Sequence, residues 1–219
     1  MLGEAIKNTK VIDPSVLGST GFVDAISREV SMVATITMAF SADPVARWVY
    51  PKASEYYRWF PGFIRAFAGR AIEDETVVST PDHSGVALWL KPNAEPDEDG
   101  LVMLIENSIP SDRQAELFEF IEKMGEGHPT EEHWYLPMIG VDVTQQNGGI
   151  GAGLMKTALD RSDRDGLPAY LESSNPRNIS LYKRCGFEEL GEIRTASSPS
   201  LVRMLRAPQR GVSMNHGLF

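Results

Sequence analysis

The chain has a single cysteine, Cys185, among 219 residues. An internal disulfide is excluded, and so is a metal site built on cysteine. Long apolar runs are missing as well. The longest, around Met32 to Phe40, is broken by threonines and falls far short of the roughly 20 residues that span a bilayer. Positive charge is in deficit: 21 Lys and Arg face 30 Asp and Glu, for a formal net charge of −9. That balance argues against nucleic acid and against an anionic membrane surface as partners. It is compatible with a cationic amine. The four histidines are scattered, and no spacing among them supports a metal site or a Ser-His-Asp set. Met1 to Lys10 is polar and lacks a signal-peptide core, so the expected location is cytoplasmic. There is no internal repeat and no low-complexity tract.

What remains is ordinary for a globular protein: 42% hydrophobic and 23% charged residues. The length suits one domain, 1–219, with a sizeable core. Lys10 to Ile12 reads as a short first strand. Ile26, Val30, Val33, Ile36 and Phe40 recur at helical spacing, which predicts a helix over 23–40, interrupted by Asp43-Pro44. Tyr57, Phe60, Ile64 and Phe67 predict a second helix over 54–70, with Pro61 expected to kink or restart it. Thr76 to Ser79 and Val86 to Leu90 read as paired strands joined by Pro81-Asp82-His83-Ser84. Lys91 to Gly100 reads as a polar loop. Ser111 with Gln114 matches a capping box, opening a helix with Leu117, Phe118, Ile121 and Met124 on one face. Lys123 to Glu132 reads as another loop. The last third alternates: strand 134–143, helix 149–164, strand 168–173, helix 178–185, strand 187–193 and a strand near 201–205. The class expected is α/β.

Between the first two of these elements lies Gln146-Asn147-Gly148-Gly149-Ile150-Gly151-Ala152-Gly153-Leu154. A glycine-rich strand-to-helix turn exposes backbone N–H groups at a positive helix end, where phosphate is held. Two phosphate motifs fail here. A P-loop needs Lys and Ser/Thr after its second glycine, and Leu154 and Met155 follow Gly153. A dinucleotide fingerprint needs a third glycine where Leu154 stands. The pattern that fits is Gln-x-x-Gly-x-Gly at Gln146, Gly149 and Gly151. Downstream follow Leu171-Glu172-Ser173-Ser174-Asn175-Pro176-Arg177-Asn178 and Leu181-Tyr182-Lys183-Arg184-Cys185-Gly186-Phe187.

This arrangement resembles the GNAT superfamily of acetyl-CoA-dependent N-acetyltransferases over roughly Glu132 to Glu192. It looks closest to the branch that includes puromycin N-acetyltransferase. The resemblance implies a twisted, mostly antiparallel mixed sheet, splayed at its centre between the strands ending near Val143 and Ser173 and flanked by helices. The acceptor side would occupy about 1–130 and the acetyl-CoA part about 131–206. It implies that acetyl-CoA is the acetyl donor, that a small-molecule amine is the acceptor, and that a homodimer is allowed.

Acyl transfer from a thioester to an amine requires an anchored pyrophosphate, an aligned pantetheine arm, a stabilised oxyanion, a protonated leaving group and a base for the amine. Gln146, Asn147, Gly148, Gly149, Gly151 and Ala152 answer the first need. The resemblance gives Ile139 and Val141 the arm, through backbone groups, and an N–H near Ile139 the thioester oxygen. Gly140 and Pro137 are consistent with a bulge that opens this strand. Tyr182 matches the family's general acid and also belongs among the cofactor contacts. Asn175 matches a residue that binds the arm. Asn178 caps the next helix or touches the cofactor. For the base, Glu172 leads, and Glu131, Glu132 and His133 remain open. Cys185 reads as structural. Phe40, Trp48, Tyr50, Trp59 and Trp89 are candidates to line an aromatic acceptor site, with Phe40 and Trp89 the more readily explained as core. Two other classes of function stay open: acetylation of a protein amine, and a CoA-sensing module without catalysis.

Overall fold

The computed structural model describes residues 20–209. The strand read at Lys10 to Ile12 lies outside them. The elements are α1 (Thr20–Ala39), α2 (Pro44–Val49), α3 (Ala53–Ala68), α4 (Arg70–Glu73), β1 (Val78–Ser79), β2 (Gly85–Leu90), α5 (Glu98–Ser108), α6 (Ser111–Gly127), β3 (Trp134–Val141), α7 (Ile150–Asp165), β4 (Ala169–Ser173), α8 (Ile179–Arg184), β5 (Glu188–Ile193) and β6 (Leu201–Arg206). One six-stranded sheet runs β1-β2-β3-β4-β6-β5. Only the central pair, β3 with β4, is parallel.

That central pair opens. Trp134, Tyr135 and Leu136 pair with Ala169, Tyr170 and Leu171, and the ladder then ends although both strands continue. Pro137 follows at once. Proline has no N–H to offer a ladder, so the pairing stops where its donor is missing. Opposite, β3 advances three residues, Tyr135 to Met138, while β2 advances two, Leu90 to Leu88. The extra residue is a bulge, and it inverts the alternation of side chains. Before it, Trp134 and Leu136 face one core and Tyr135 the other; after it, Ile139 and Val141 face the first and Met138 the second. The strand is thereby re-aimed inside the opening.

Gly140 has a different task from the one expected of it. A Cβ there would lie 2.7 Å from Ala39 Cβ and 3.2 Å from Ile36 Cδ1. Glycine is needed because α1 crosses β3 at that point, and the bulge is made around Pro137 instead.

Two cores result. Helices α1, α3 and the short α2 cover one face with Ile36, Tyr50, Tyr56, Phe60 and Ile64. Helices α7 and α8 cover the other with Leu154, Met155, Ala158 and Tyr182. Gly85 on β2 lets α7 begin close to the sheet, since a Cβ there would meet Ile150 Cγ2.

Four expectations need correction. Helix α3 runs through Pro61 without restarting. Its stripe Tyr56, Phe60, Ile64 and Ala68 is buried, and this tertiary burial outweighs the lost hydrogen bond. Lys91 to Gly100 is not all loop. Asp97 caps α5 by accepting from Gly100 N–H at 2.9 Å, and Leu101 and Ile105 bury one face of the helix. The capping box at Ser111 does not form, because Ser111 is already helical and Pro110 occupies the cap position. Gln114 instead donates to the Ile109 carbonyl at 2.8 Å. Helix α6 also runs on to Gly127, one turn into the region read as loop.

Candidate active site

The turn after β3 is built to leave donors unused. Asn147 (φ 63) and Gly149 (φ 85) take left-handed conformations, which glycine and asparagine adopt most readily. Among the described residues, none accepts from the seven backbone N–H groups of Gln146 to Ala152. They gather at the start of a 16-residue helix, where the peptide dipoles add positive potential. An anionic ligand with several acceptor oxygens fits this place, as a pyrophosphate would. Gln146 adds a tie: its Nε2 donates to the Val141 carbonyl at 3.2 Å, holding the turn against the strand end.

The opened edge of β3 lies beside it. Asp142 N–H donates to Ser84 O on the β2 side at 2.7 Å. By alternation, Val141 and Ile139 direct their N–H and C=O groups to the opposite, unpaired side. An extended diamide can add there as a further strand. The structure thus brings Ile139 and Val141 to the same cleft as the turn.

Tyr182 lies on α8, in the core of the face that α7 and α8 cover. It is buried, with its ring edge-on to Phe187 at 6.2 Å. Burial, then the charges of Asp43 and Cys185, hold its hydroxyl well above the usual tyrosine range, while the Asn178 side chain acts the other way. The phenol therefore keeps its proton throughout the working range of pH. Asn178 stands at the start of α8 but makes no side-chain cap. Asn175 instead caps the short 3-10 turn of residues 176–178 that leads into α8, its Oδ1 accepting from Arg177 N–H at 3.1 Å. Its NH2 group is left to serve another acceptor. Cys185 has a thiol raised by burial, which suits an inert packing role.

From the other face of the sheet comes Glu172. Its side chain is only 2% exposed, and its Oε1 is buried without a hydrogen-bond partner. Next to it, Tyr135 and Tyr170 are shifted upward by burial first and by the Glu172 charge second. Tyr170 donates to the Gly127 carbonyl at 3.2 Å. Glu132 accepts from Asn93 Nδ2 at 2.8 Å, and Glu131 is exposed; neither lines the cavity that Glu172 faces.

That cavity encloses about 80 Å³, room for far more than a single water. Phe40, Tyr50, Phe60, Phe63, Phe67 and Phe120 wall it, and Glu172, Asp43 and Ser174 supply its polar end. Asp43 is a site residue that sequence reasoning missed. Its Oδ1 caps α2 by accepting from Val45 and Ala46 N–H at 3.0 Å. Its Oδ2 accepts from Ser174 Oγ at 2.6 Å, bridging to the end of β4. Burial raises its carboxyl above the usual range, against the pull of those donors. The Asp-Pro pair signalled the cap; nothing local signalled the bridge.

Of the aromatics expected around an acceptor, Phe40 and Tyr50 line the cavity. Trp89 is buried in the core of the opposite face. Trp48 packs on Phe120 with its Nε1 donating to Ser197, and Trp59 lies outside the lining. The phenylalanines of α3 take the places expected of the tryptophans.

A splayed sheet, a bare amide turn at a helix start and a phenol opposite a buried carboxylate define a class: enzymes that take an acyl group from a CoA thioester. Comparison with known proteins agrees. Residues 113–187 match the acetyltransferase (GNAT) family. An uncharacterized N-acetyltransferase of Schizosaccharomyces pombe is 26% identical over 197 residues, covering 80% of this chain and 78% of that protein. Solved structures share the fold. A histone acetyltransferase HPA2-related acetyltransferase from Corynebacterium glutamicum superposes with a TM-score of 0.58 at 21% identity, covering 85% of this chain and 94% of that one. The C-terminal condensation domain of Ebony gives 0.60 at 12% identity, covering 83% and 95%. Arylalkylamine N-acetyltransferase 2 from Aedes aegypti gives 0.54 at 12%, covering 87% and 96%. The chain is thus similar to the GNAT family of acetyl-CoA-dependent N-acetyltransferases in sequence over residues 113–187 and in fold over most of its length. No helix among the described residues is long and apolar enough to cross a membrane.

Acetyl-CoA should raise the melting temperature. A ligand bound only by the folded chain adds about 2.7 kcal/mol at a hundredfold excess over Kd. For a domain of this size that is a rise of about 5–10 °C. Differential scanning fluorimetry with acetyl-CoA, NAD and ATP measures it, and an equal shift with ATP would contradict the pyrophosphate site at Gln146 to Ala152.

Proposed function

We propose that the enzyme moves the acetyl group of acetyl-CoA directly to the primary amine of a small molecule with an apolar, aromatic body. The cavity carries this reading. Its phenylalanine walls suit a ring or short alkyl chain, and its polar end gathers Glu172, Asp43 and Ser174. A protein N-terminus or lysine would instead call for a groove open at both ends. Two fold neighbours accord with the choice: one is named an arylalkylamine N-acetyltransferase, and the other was solved with β-alanyl-dopamine. The Leu171-Glu172-Ser173-Ser174 strand further supports a place near the puromycin N-acetyltransferase branch.

The geometry supports the following roles. Gln146, Asn147, Gly148, Gly149, Gly151 and Ala152 hold the pyrophosphate through backbone N–H groups. Ile139 and Val141 align the arm along the unpaired edge of β3, and the Ile139 N–H polarises the thioester carbonyl. Asn175 and Asn178 contact the arm. Glu172 takes a proton from the incoming ammonium, so that the nitrogen attacks as a free amine. Tyr182 returns a proton to the leaving thiolate. Both roles need the sheet to be split, because Glu172 belongs to one face and Tyr182 to the other.

A screen for CoA release from acetyl-CoA tests the acceptor class. 2-Phenylethylamine and tryptamine should be the fastest substrates, ahead of polyamines, aminonucleosides and peptide N-termini. A peptide or polyamine that outpaces them by tenfold would overturn the aromatic reading.

A further inference from the structure

A second cavity, of about 480 Å³, adjoins the first. The two share Phe67, Ile121, Met124 and Tyr135 as a common wall. Glu172 lines the first, and His128 and His133 line the second. One contact crosses the wall: His128 Nε2 lies 3.4 Å from Glu172 Oε1, the buried carboxylate oxygen with no hydrogen-bond partner.

Hydrogen-bond roles fix both imidazoles. His133 Nδ1 is 2.8 Å from the Glu131 carbonyl, which can only accept, so Nδ1 carries the hydrogen. In a neutral ring Nε2 is then an acceptor. That nitrogen is 3.1 Å from His128 Nδ1, so His128 Nδ1 must be the donor. His128 Nε2 is left as a lone pair aimed at Glu172. Burial lowers the His133 pKa, with the neighbouring His128 acting in the same sense, which favours the neutral ring this chain of roles assumes. Two acceptors face each other at 3.4 Å, a separation that accommodates one shared proton.

We propose that His128 and His133 form a proton exit from Glu172 into the second cavity. The inference rests on Glu172 as the base. Acetylation of a protonated amine releases one net proton, and the acceptor cavity is walled mainly by apolar side chains. The ammonium gives its proton to the Glu172 carboxylate, becoming a free amine. The carboxylic acid gives it to His128 Nε2. His128 passes its Nδ1 proton to His133 Nε2, and His133 releases its own Nδ1 proton to water. Both rings are then Nε2–H; each takes a proton at Nδ1 from water of the second cavity and gives its Nε2 proton to that water, so the net count is one proton in from Glu172 and one out to solvent. His133 is half-buried and so reaches solvent.

The surroundings suit the task. The rings of Tyr135 and Tyr170 lie 4.5 and 4.6 Å from His128. Arg203 of β6 comes close through the Gly127 carbonyl, to which its Nη1 donates at 3.3 Å. Glu122, Glu131 and Glu132 line the second cavity and favour departing positive charge. His128 and His133 act through Glu172, so they position and drain the base without touching the amine.

The test uses the full chain labelled with 15N-histidine. Both neutral rings should appear as Nδ1–H tautomers, and His133→Leu should convert His128 towards Nε2–H. With 2-phenylethylamine as the probe amine, His133→Leu should lower kcat about tenfold to a hundredfold, the modest end of proton-transfer effects, with acetyl-CoA affinity unchanged. Turnover of the variant should depend on buffer concentration and recover with imidazole, while the wild type responds to neither. A His128 that is Nε2–H in the wild type overturns the relay whether or not the probe amine is accepted. So does a His133→Leu variant with wild-type kcat and no buffer dependence, when Glu172→Gln is inactive. Wild-type turnover in Glu172→Gln would overturn the base itself, and the relay with it.

Discussion

Gly151→Val should abolish CoA binding in a folded protein. A Cβ on Gly151 would sit 3.6 Å from Leu181 Cδ2 and 3.9 Å from Val141 Cγ2, ordinary contact distances. The backbone there is helical, without a left-handed φ, and valine is no worse than glycine as a helix residue. The fold therefore tolerates the first carbon. The two γ carbons then crowd the space between the helix start and Val141, over the bare N–H groups that phosphate must reach. Charge-assisted hydrogen bonds are worth about 1.5–3 kcal/mol each. Losing two costs about 3–6 kcal/mol, more than a hundredfold in Kd. Calorimetric titration with CoA measures it, and circular dichroism checks the fold. Gly151→Ala should lose much less, because it adds only the tolerated carbon. Gly149 would be a poorer test, since at φ 85 any side chain strains the backbone itself. Unchanged CoA affinity in folded Gly151→Val would place the phosphates elsewhere.

The glycine turn was legible because its information is local. The left-handed turn at Asn147 and Gly149, the helix that follows and the strand before it each leave a mark within a few residues. Pro137 likewise announced the opening of the sheet. Gly140 shows where this reasoning reaches its end. Its glycine was visible, but the reason for it is α1, 100 residues earlier in the chain. Helix α5 was hidden for another reason. Its first turn, Glu98-Asp99-Gly100, is as polar as the loop before it, and only the Asp97 cap marks the start. The cavity was half visible. Phe60, Phe63 and Phe67 recur at helical spacing on α3, but an apolar stripe looks the same whether it meets a core or a ligand. His128 carried no signal at all. Its significance depends on β4 bringing Glu172 within 3.4 Å across 44 positions of sequence, and no pattern around His128 encodes that encounter.

Tyr182→Phe should lower kcat by about a hundredfold to ten-thousandfold, the usual contribution of a general acid. The substitution keeps the ring, and with it the packing against Phe187. What it removes is one hydroxyl, in a setting that keeps it protonated: burial and the Asp43 carboxylate both hold its pKa up. A phenol so placed can give a proton to a thiolate as the thiolate forms, and regains it afterwards from solvent or from the reacting nitrogen. The interaction belongs mainly to the transition state, so the loss should fall on kcat and leave acetyl-CoA affinity near wild type. Stability separates this from a packing role. The hydroxyl is buried, and if it served only to pack or to bond Asn178, its loss would shift the melting temperature and spare turnover. Steady-state kinetics with 2-phenylethylamine and a melting curve on the same variant decide between the two. A Phe variant that turns over like the wild type removes Tyr182 from the chemistry and leaves water or the amine to protonate the thiolate.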